Sequence, residues 1–255
     1  MSQLRQELRE NGVARLEIAH PPLNLLTQDI RRELGERFAA LGADERVRAV
    51  VFGSAGRPFC AGADLKEFPL RFDPAVARRH GENGHRMTLA LASLRKPVVA
   101  MVDGVCMGGG LELAMACGLR VAAAGARLAL PEIRRGVWPG TGGIFLLKRL
   151  VGAARARRLL LTGATLTSEQ ALEIGLVDEV APAAQLEERA LALAGEFAAM
   201  PASSVAAISL LLDRQDLAAF AEHLQAELEE FVQAYQLPAA REGCQAFFEK
   251  REPRW

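Results

Sequence analysis

Residues 98–113 read VVAMVDGVCMGGGLEL, and this stretch decides the fold class. Val98–Val102 is an uninterrupted apolar run, which is typical of a strand buried on both faces of a parallel sheet. Three glycines then lead into residues 111–117, a segment that favours a helix. The first N–H groups of a helix have no partner within it, and the helix dipole is positive there. This helix start therefore favours negative charge.

Glu112 adds a carboxylate to this helix start. It follows Gly109 by three residues, so it projects from the same side of the helix about one turn on. The pattern indicates an oxyanion donor beside a carboxylate, although a tight turn with Glu112 on a solvated face fits this segment equally well. A P-loop is excluded because no Gly-Lys-Ser/Thr sequence closes the run. The glycines also do not form a dinucleotide-binding pattern in register.

Outward from this stretch, short apolar strands alternate with amphipathic helices. Further strands are predicted at residues 13–18, 49–52, 121–123 and 127–130. One predicted helix is capped by Thr27, and a second covers residues 74–94. The apolar face of the first consists of Ile30, Leu34, Phe38 and Leu41. A capping box at residues 167–170 begins another helix, which Gly175 ends. This alternation predicts an α/β fold with a largely parallel sheet covered on both faces.

The composition changes after about residue 165, and from Gln185 onward nearly every segment favours a helix. The predicted helices of this region cover residues 186–200, 203–212, 217–235 and 239–250. The sequence therefore divides into an α/β body, residues 1–185, and a helical tail, residues 186–255. The tail is richer in apolar side chains than one thin helical layer can bury, so it is expected to carry an interface.

Composition and charge exclude several classes of protein. Half of the 255 residues are hydrophobic and 24% are charged, which is typical of a soluble globular chain. The 31 basic residues balance the 31 acidic ones, so a nucleic-acid partner is not expected. No apolar stretch is long enough to span a membrane, and the N-terminus lacks a signal-peptide core. Four cysteines without a CxxC pair predict free thiols in a reducing cytoplasm and no metal site.

Three glycine-centred segments together resemble the enoyl-CoA hydratase/isomerase family, the crotonases. They are residues 61–64 (AGAD), residues 108–113 (GGGLEL), and residues 131–133 (PEI) followed by 139–143 (PGTGG). Residues 96–100 and 247–251 also fit the family pattern. The resemblance extends over nearly the whole chain in the right order, and this combination is specific where one segment alone would be weak.

The resemblance implies a spiral of ββα units with a C-terminal helical trimerisation region, assembled as a homotrimer or a dimer of trimers. It also implies an acyl-CoA thioester substrate and no separate cofactor. The oxyanion donors would be the backbone N–H groups of Ala63 and Gly109, and the catalytic carboxylates would be Glu112 and Glu132. The residues that would bind the substrate or its CoA portion are Leu25, Ala61, Gly62, Asp64, Leu65, Gly108, Trp138, Gly140, Phe247 and Lys250.

The two glutamates favour an enoyl-CoA hydratase, which adds water to a trans-2-enoyl-CoA. Two N–H donors would hold the charge of the enolate, each worth roughly 10²–10³ in rate. Two neighbouring carboxyl groups can share the proton transfers, with the pKa of one raised. A Δ3,Δ2-enoyl-CoA isomerase is the nearest alternative, because Glu132 alone can shuttle a proton. Family members that act as dienoyl-CoA isomerases or dehalogenases use an aspartate in the third glycine-centred segment. Both activities are disfavoured here because residues 136–143 contain no aspartate.

A noncatalytic CoA-binding scaffold is disfavoured by the presence of both glutamates, and an RNA-binding relative is disfavoured by the neutral charge. Residues 144–148 (IFLLK) replace the Gln-Arg-Leu that often follows the glycines in the family, and Trp138 is large for an acyl pocket. These departures leave the acyl group open. The histidines are expected to be structural or exposed. Cys60, Cys106 and Cys117 are expected to be buried and inert, and the Arg31-Arg32 pair is expected to be solvated.

Overall fold

The computed structural model describes residues 3–255, and its main layer is a six-stranded sheet. Its strands are β1 (Leu4–Leu8), β2 (Val13–Ile18), β3 (Ala49–Ser54), β4 (Val98–Val102), β6 (Leu119–Ala123) and β9 (Glu179–Ala181), and they lie in the order β1-β2-β3-β4-β6-β9. Strands β1 and β2 pair antiparallel, and every other neighbouring pair is parallel. The predicted largely parallel sheet is confirmed.

A second sheet explains how the chain spirals. Its three strands are β5 (Val105–Met107), β7 (Arg127–Ala129) and β8 (Leu166–Thr167), in the order β5-β7-β8. The pairs β4–β5 and β6–β7 each place their first strand in the large sheet and their second in the small one. One turn earlier, β3 is followed by Cys60, which forms a parallel bridge with Cys106 of β5. Three successive turns of the chain therefore lie side by side in register.

Nine helices of residues 3–255 surround the sheets. They are α1 (Gln28–Ala43), α2 (Pro74–Ala92), α3 (Gly109–Ala116), α4 (Gly143–Val151), α5 (Ala153–Thr162), α6 (Ser168–Glu173), α7 (Leu186–Ala198), α8 (Ala202–Ala234) and α9 (Pro238–Phe248). Short 3₁₀ turns cover Leu65–Glu67, Pro69–Phe72, Glu132–Arg135 and Ala183–Gln185. The predicted cap of α1 is confirmed, because the Thr27 side chain accepts a hydrogen bond from the Ile30 N–H. The predicted capping box of α6 is present as well.

The large sheet is buried on both faces, as its apolar strands predict. In β3, Val50 and Phe52 point into the core that contains α1, whereas Ala49 and Val51 point into a second cluster with α7. This alternation follows from the two-residue period of a strand. Helix α7 begins the predicted tail, and its buried face covers the sheet through Leu186, Ala190, Ala194 and Ala198. The tail therefore contributes to the core of the body.

Helix α8 corrects one expectation. Two helices were expected at residues 203–212 and 217–235, but the structure has one helix of 33 residues, so that prediction is wrong. The intervening residues contain neither glycine nor proline, so nothing in the backbone interrupts the helix. Arg149 of α4 also pairs with Asp213 at 3.0 Å and Asp216 at 2.9 Å, which ties this junction to the body.

No single helix among residues 3–255 is long and apolar enough to cross a membrane. The bent pair Ala183–Ala198 and Ala202–Asp213 reaches the required length and apolarity only when both parts are counted together.

Candidate active site

The three turns of the spiral bring the three glycine-centred segments to one place. Cys60 lies beside Cys106, and Met107 pairs with Ala129. Because the chain is in register at these pairs, the segments that follow them leave the sheet together. These segments carry Ala63 from the first turn, Gly109 from the second and Glu132 from the third. The motifs that are far apart in sequence therefore meet because β5 and β7 are parallel neighbours.

The backbone N–H groups of Ala63 and Gly109 are both free. Neither donates a hydrogen bond to any part of residues 3–255. Gly109 is the first residue of α3, so its N–H has no partner within the helix. The preceding Gly108 has φ +52° and ψ −127°, and a methyl group there would lie 2.8 Å from Glu132 Oε1. A side chain at residue 108 would thus be strained and would displace the carboxyl group of Glu132.

Glu112 is buried on α3, with 3% of its surface exposed. Its Oε1 accepts hydrogen bonds from the N–H groups of Thr141, at 2.8 Å, and Gly143, at 2.9 Å. The Thr141 hydroxyl donates to Oε2. Burial raises the pKa of Glu112, and the nearby charge of Glu227 raises it further, while the hydrogen bonds from Thr141 act against both. Three donors around one carboxyl group favour its ionised form.

Glu132 has the opposite surroundings. Its Oε2 is buried and has no hydrogen-bond partner among residues 3–255. Burial, and then the charge of Glu112, raise its pKa to about 8. No donor compensates an ionised Oε2, so this carboxyl group holds its proton near neutral pH. The site therefore places one carboxyl group with three hydrogen-bond donors, and a second whose Oε2 has none, beside two free N–H donors.

A cavity of about 490 Å³ connects these groups. It is lined by Ala63, Gly109, Glu112 and Glu132, and by nine of the ten residues expected to bind substrate: Leu25, Ala61, Gly62, Asp64, Leu65, Gly108, Trp138, Gly140 and Phe247. Lys250 is exposed and does not line it. Asp64 also accepts a hydrogen bond from the Lys66 N–H and so caps the following 3₁₀ turn. In the part of the chain described, no cluster of His, Cys, Asp and Glu is placed to hold a metal ion.

Helix α8 supplies site residues that sequence reasoning missed. Glu227 is buried, and its Oε1 accepts hydrogen bonds from the N–H of Gly142, at 2.9 Å, and from His85 Nε2, at 3.0 Å. His223 Nε2 lies 3.3 Å from its other oxygen. Burial favours a higher pKa for Glu227, but the close contacts with His223 and His85 outweigh it and lower the pKa. Glu227 thus fixes the glycine loop that holds Glu112.

These contacts correct two expectations about the histidines. His85 is buried rather than at the surface, and His223 is half-buried and paired rather than exposed. His85 lies 142 residues before Glu227, so no local pattern could have indicated the contact. His20 is structural as expected, since its Nδ1 lies 3.1 Å from the Leu25 carbonyl oxygen. All four cysteines are unpaired as expected, and Cys60, Cys106 and Cys117 are buried as expected.

The expectation that Arg31 is solvated is also wrong. Arg31 is buried and lines the cavity, whereas Arg32 next to it is exposed and pairs with Glu36 at 3.1 Å. Arg31 follows Ile30 on α1, at the edge of the buried face. The glycines at residues 84 and 109 leave room for its guanidinium group. That room comes from two other helices and cannot be predicted from the sequence of α1.

Known proteins share this architecture. The model of the enoyl-CoA hydratase/isomerase family matches residues 8–255. A Bacillus subtilis protein named "Probable enoyl-CoA hydratase" is 38% identical over 244 residues, which cover 95% of each chain. The structure of an enoyl-CoA hydratase from Mycobacterium avium subsp. paratuberculosis is 29% identical with a TM-score of 0.89, covering 100% of this chain and 98% of that one. Human mitochondrial delta3-delta2-enoyl-CoA isomerase is 25% identical with a TM-score of 0.90, covering 98% of each chain. The chain belongs to the enoyl-CoA hydratase/isomerase family.

Proposed function

We propose that this protein is an enoyl-CoA hydratase, which adds water in the syn sense to a trans-2-enoyl-CoA and forms a 3-hydroxyacyl-CoA. One observation carries the proposal: Glu112 and Glu132 line the same cavity with opposite hydrogen-bonding environments. Hydration needs one group to accept a proton from water and another to supply a proton to carbon. A hydrogen-bonded carboxylate and a protonated carboxyl group meet these two needs. The names of similar proteins support the same activity.

The proton transfers follow from the two environments. Glu112, as the carboxylate, accepts a proton from a water molecule whose oxygen bonds to C3 of the enoyl group. The C2–C3 π electrons move toward the thioester carbonyl, and its oxygen takes two hydrogen bonds from the N–H groups of Ala63 and Gly109. Glu132 then donates its proton to C2, and the carbonyl re-forms. The product has gained one water, and a proton returns from Glu112 to Glu132 through solvent.

The CoA portion is proposed to leave the cavity past its aromatic and basic rim. Phe247 and Phe248 line the cavity, and the guanidinium group of Arg135 stacks over the Phe247 ring at 4.8 Å. Lys250 is a candidate for binding a phosphate of CoA, from the exposed end of this segment. Coenzyme A is part of the substrate, and no further cofactor is proposed.

A Δ3,Δ2-enoyl-CoA isomerase is the second candidate. It is favoured by the unpartnered carboxyl oxygen of Glu132, which can remove a proton from one carbon and return it to another. The similarity to the human isomerase supports the same candidate. An isomerase would not need Glu112 to activate water. The three protein donors that hold the Glu112 carboxyl group favour the hydratase.

Mass spectrometry with crotonyl-CoA tests the proposal. Hydration adds the mass of one water and removes the enone absorbance. With trans-3-hexenoyl-CoA as substrate, isomerisation produces an enone without any change in mass. Gain of water by crotonyl-CoA at a rate proportional to enzyme supports the hydratase. Double-bond migration without hydration would establish the isomerase instead. If neither reaction occurs, the protein is a CoA-binding scaffold.

We also propose a homotrimer or a dimer of trimers in the cytoplasm, with no nucleic-acid or membrane partner. The support for assembly is the N-terminal half of α8, where large apolar side chains face outward. Leu211 and Leu212 are 71% and 70% exposed, and Ile208 and Leu210 are exposed beside them. An apolar surface of this kind marks an interface. The buried unpaired cysteines fit a reducing compartment.

A further inference from the structure

Two arginine side chains line the cavity although each is only 5% exposed. Arg31 comes from α1, and Arg71 comes from the 3₁₀ turn Pro69–Phe72. Removing a guanidinium group from water is costly unless hydrogen bonds and opposite charges replace the water. The partners of the two side chains therefore show what each can bind.

Arg71 has its partners within the protein. It donates hydrogen bonds to the Tyr235 hydroxyl, at 2.8 Å, and to His80 Nδ1, at 3.3 Å. Its guanidinium group also lies over the rings of Tyr235 and Phe231. The pKa of His80 is lowered to about 4 by burial and by the charges of Arg71 and Arg31. His80 is therefore neutral near pH 7, and because its Nδ1 accepts a hydrogen bond, its proton is on Nε2.

Arg31 has no such partners. Its guanidinium group makes no hydrogen bond with residues 3–255, and its Nε is buried without a partner. A methyl group on Gly84 would lie 3.2 Å from Nη1, and one on Gly109 would lie 3.3 Å from Nη2. The group thus fits between two backbone segments that lack side chains. Its unused donors face the cavity that holds the acyl group in the proposed reaction.

The two guanidinium groups are close to each other. Arg71 contacts α2 at His80, and Arg31 contacts the same helix at Gly84, one turn later. Positions four residues apart on a helix lie roughly 5–6 Å from each other. Two cations at this separation repel, and the charge of Arg71 lowers the pKa of Arg31 in addition to the effect of burial.

Two carboxyl groups, those of Glu67 and Glu112, lie near this pair, and neither makes a hydrogen bond with Arg31. Glu67 Oε2 lies 3.9 Å from Arg71, while its Oε1 accepts a hydrogen bond from the Gln28 N–H at 3.0 Å. The charge of Glu112 also acts on Arg31, but the Glu112 oxygens accept hydrogen bonds from Thr141 and Gly143 rather than from Arg31. The raised pKa of Glu132 keeps that group protonated near neutral pH. The wall formed by Arg31 and Arg71 therefore keeps guanidinium donors that have no acceptor.

We propose that this arginine pair binds a carboxylate on the acyl group, so that the substrate is the mono-CoA thioester of an unsaturated dicarboxylic acid. This inference rests on the proposed hydratase function and adds a substrate class to it. A carboxylate matches the planar donor pair of a guanidinium group and supplies the acceptors that Arg31 lacks. The apolar side chains of Phe68, Val137 and Phe231 line the same cavity and can contact the methylene groups of the acyl chain.

Binding of saturated acyl-CoA pairs tests the substrate class without any reaction. Glutaryl-CoA and pentanoyl-CoA have the same chain length and differ in the terminal carboxylate. We expect calorimetry to give a dissociation constant about 10- to 100-fold lower for glutaryl-CoA, because a hydrogen-bonded charge pair is worth one to two powers of ten. Equal affinities, or tighter binding of pentanoyl-CoA, would overturn the inference whatever the enzyme catalyses.

Turnover of the matching enoyl pair extends the test. The mono-CoA thioester of trans-glutaconic acid should be hydrated with a higher kcat/KM than trans-2-pentenoyl-CoA. If trans-2-pentenoyl-CoA is hydrated at least as well, the substrate class is wrong and the hydratase stands. If neither is hydrated while glutaryl-CoA still binds more tightly, the hydratase is wrong and the arginine pair keeps its ligand.

Variants of Arg31 identify the residue responsible. Arg31→Met should lower the glutaryl-CoA to pentanoyl-CoA selectivity at least tenfold, and Arg31→Lys should keep part of it. Arg32→Met, one residue along the same helix and exposed, is the matched control and should keep the wild-type selectivity. Equal weakening of both ligands by Arg31→Met and Arg31→Lys, with native circular dichroism, would assign Arg31 to holding Glu112 instead and overturn the inference.

Discussion

At the residue scale, Glu112 and Glu132 are expected to be essential for turnover and nearly neutral for binding. Glu112→Gln keeps an oxygen that accepts from the Thr141 and Gly143 N–H groups, so the fold should persist while the base is lost. Glu132→Gln removes the proton donor. Each change should lower kcat by about 10²–10⁴ and leave the affinity for a saturated acyl-CoA within a few-fold.

Steady-state kinetics and calorimetry check this expectation, with Glu36→Gln on the exposed face of α1 as the control. Near wild-type hydration by either active-site variant would contradict the two-carboxyl mechanism. Loss of activity in Glu132→Gln alone would favour the isomerase.

The raised pKa of Glu132 also predicts how stability depends on pH. The unfolded chain releases this proton near the ordinary pKa of 4.5, whereas the folded protein keeps it up to about 8. The folded state therefore binds more protons in this range, and the free energy of unfolding must fall as the pH rises through it. Urea unfolding at pH 5.5 and 8.5 should show a smaller fall for Glu132→Gln than for the wild type. Identical falls would mean that Glu132 ionises normally.

At the element scale, α8 is expected to stabilise the glycine loop through Glu227. Glu227→Ala leaves the Gly142 N–H buried without an acceptor, which costs about 1–3 kcal/mol, whereas His85 Nε2 keeps the Gly140 carbonyl oxygen at 3.1 Å. The free energy of unfolding should fall by about 1–3 kcal/mol, and kcat should fall with it. Glu229→Ala on the same helix breaks only an exposed pair with Arg78 and should cost at most about 1 kcal/mol. Similar losses in both variants, measured by urea unfolding, would refute this role.

The end of α9 gives a second prediction at this scale. Phe247→Ala should raise the KM for CoA thioesters and affect N-acetylcysteamine thioesters much less, because only the former carry the nucleotide that the cavity rim would contact. Lys250→Ala should show a smaller effect that salt removes, since exposed charges are screened over about 8–10 Å. Trp255→Ala, at the exposed chain end, is the control. Equal losses on both substrate types would restrict this segment to folding or assembly.

At the scale of the whole molecule, the exposed leucines of α8 predict self-association. The wild type should sediment as a trimer or hexamer at micromolar concentration. The double variant Leu211→Glu/Leu212→Glu should dissociate, because four charges or more would be buried in a closed interface. Leu161→Glu on α5 places the same charge at another exposed leucine and should leave the assembly intact. A monomeric wild type in sedimentation equilibrium would remove the inference.

The sequence by itself determined the structural features that depend only on residues close together in the chain. The strand Val98–Val102, the cap at Thr27 and the capping box at Thr167 agree with the structure, because apolar runs and capping side chains act within a few positions. The family resemblance added which glycine-centred segments belong together. It did not predict that α8 is continuous. The polar residues 213–216 look like a break between two helices, but without glycine or proline the helix continues through them.

Only the tertiary structure decided which polar groups are buried together. Arg31 looks like half of a solvated basic pair, and Glu227 looks like one of many acids on a surface helix. The burial of Arg31 depends on room left by Gly84 and Gly109. The burial of Glu227 depends on the loop before α4, whose Gly142 N–H points toward α8. Hydrogen bonding and desolvation act over a few ångströms in space and carry no sequence period. The protonation states and the charge of the cavity therefore depend on tertiary packing. The strands and helices that form the cavity depend on the local sequence.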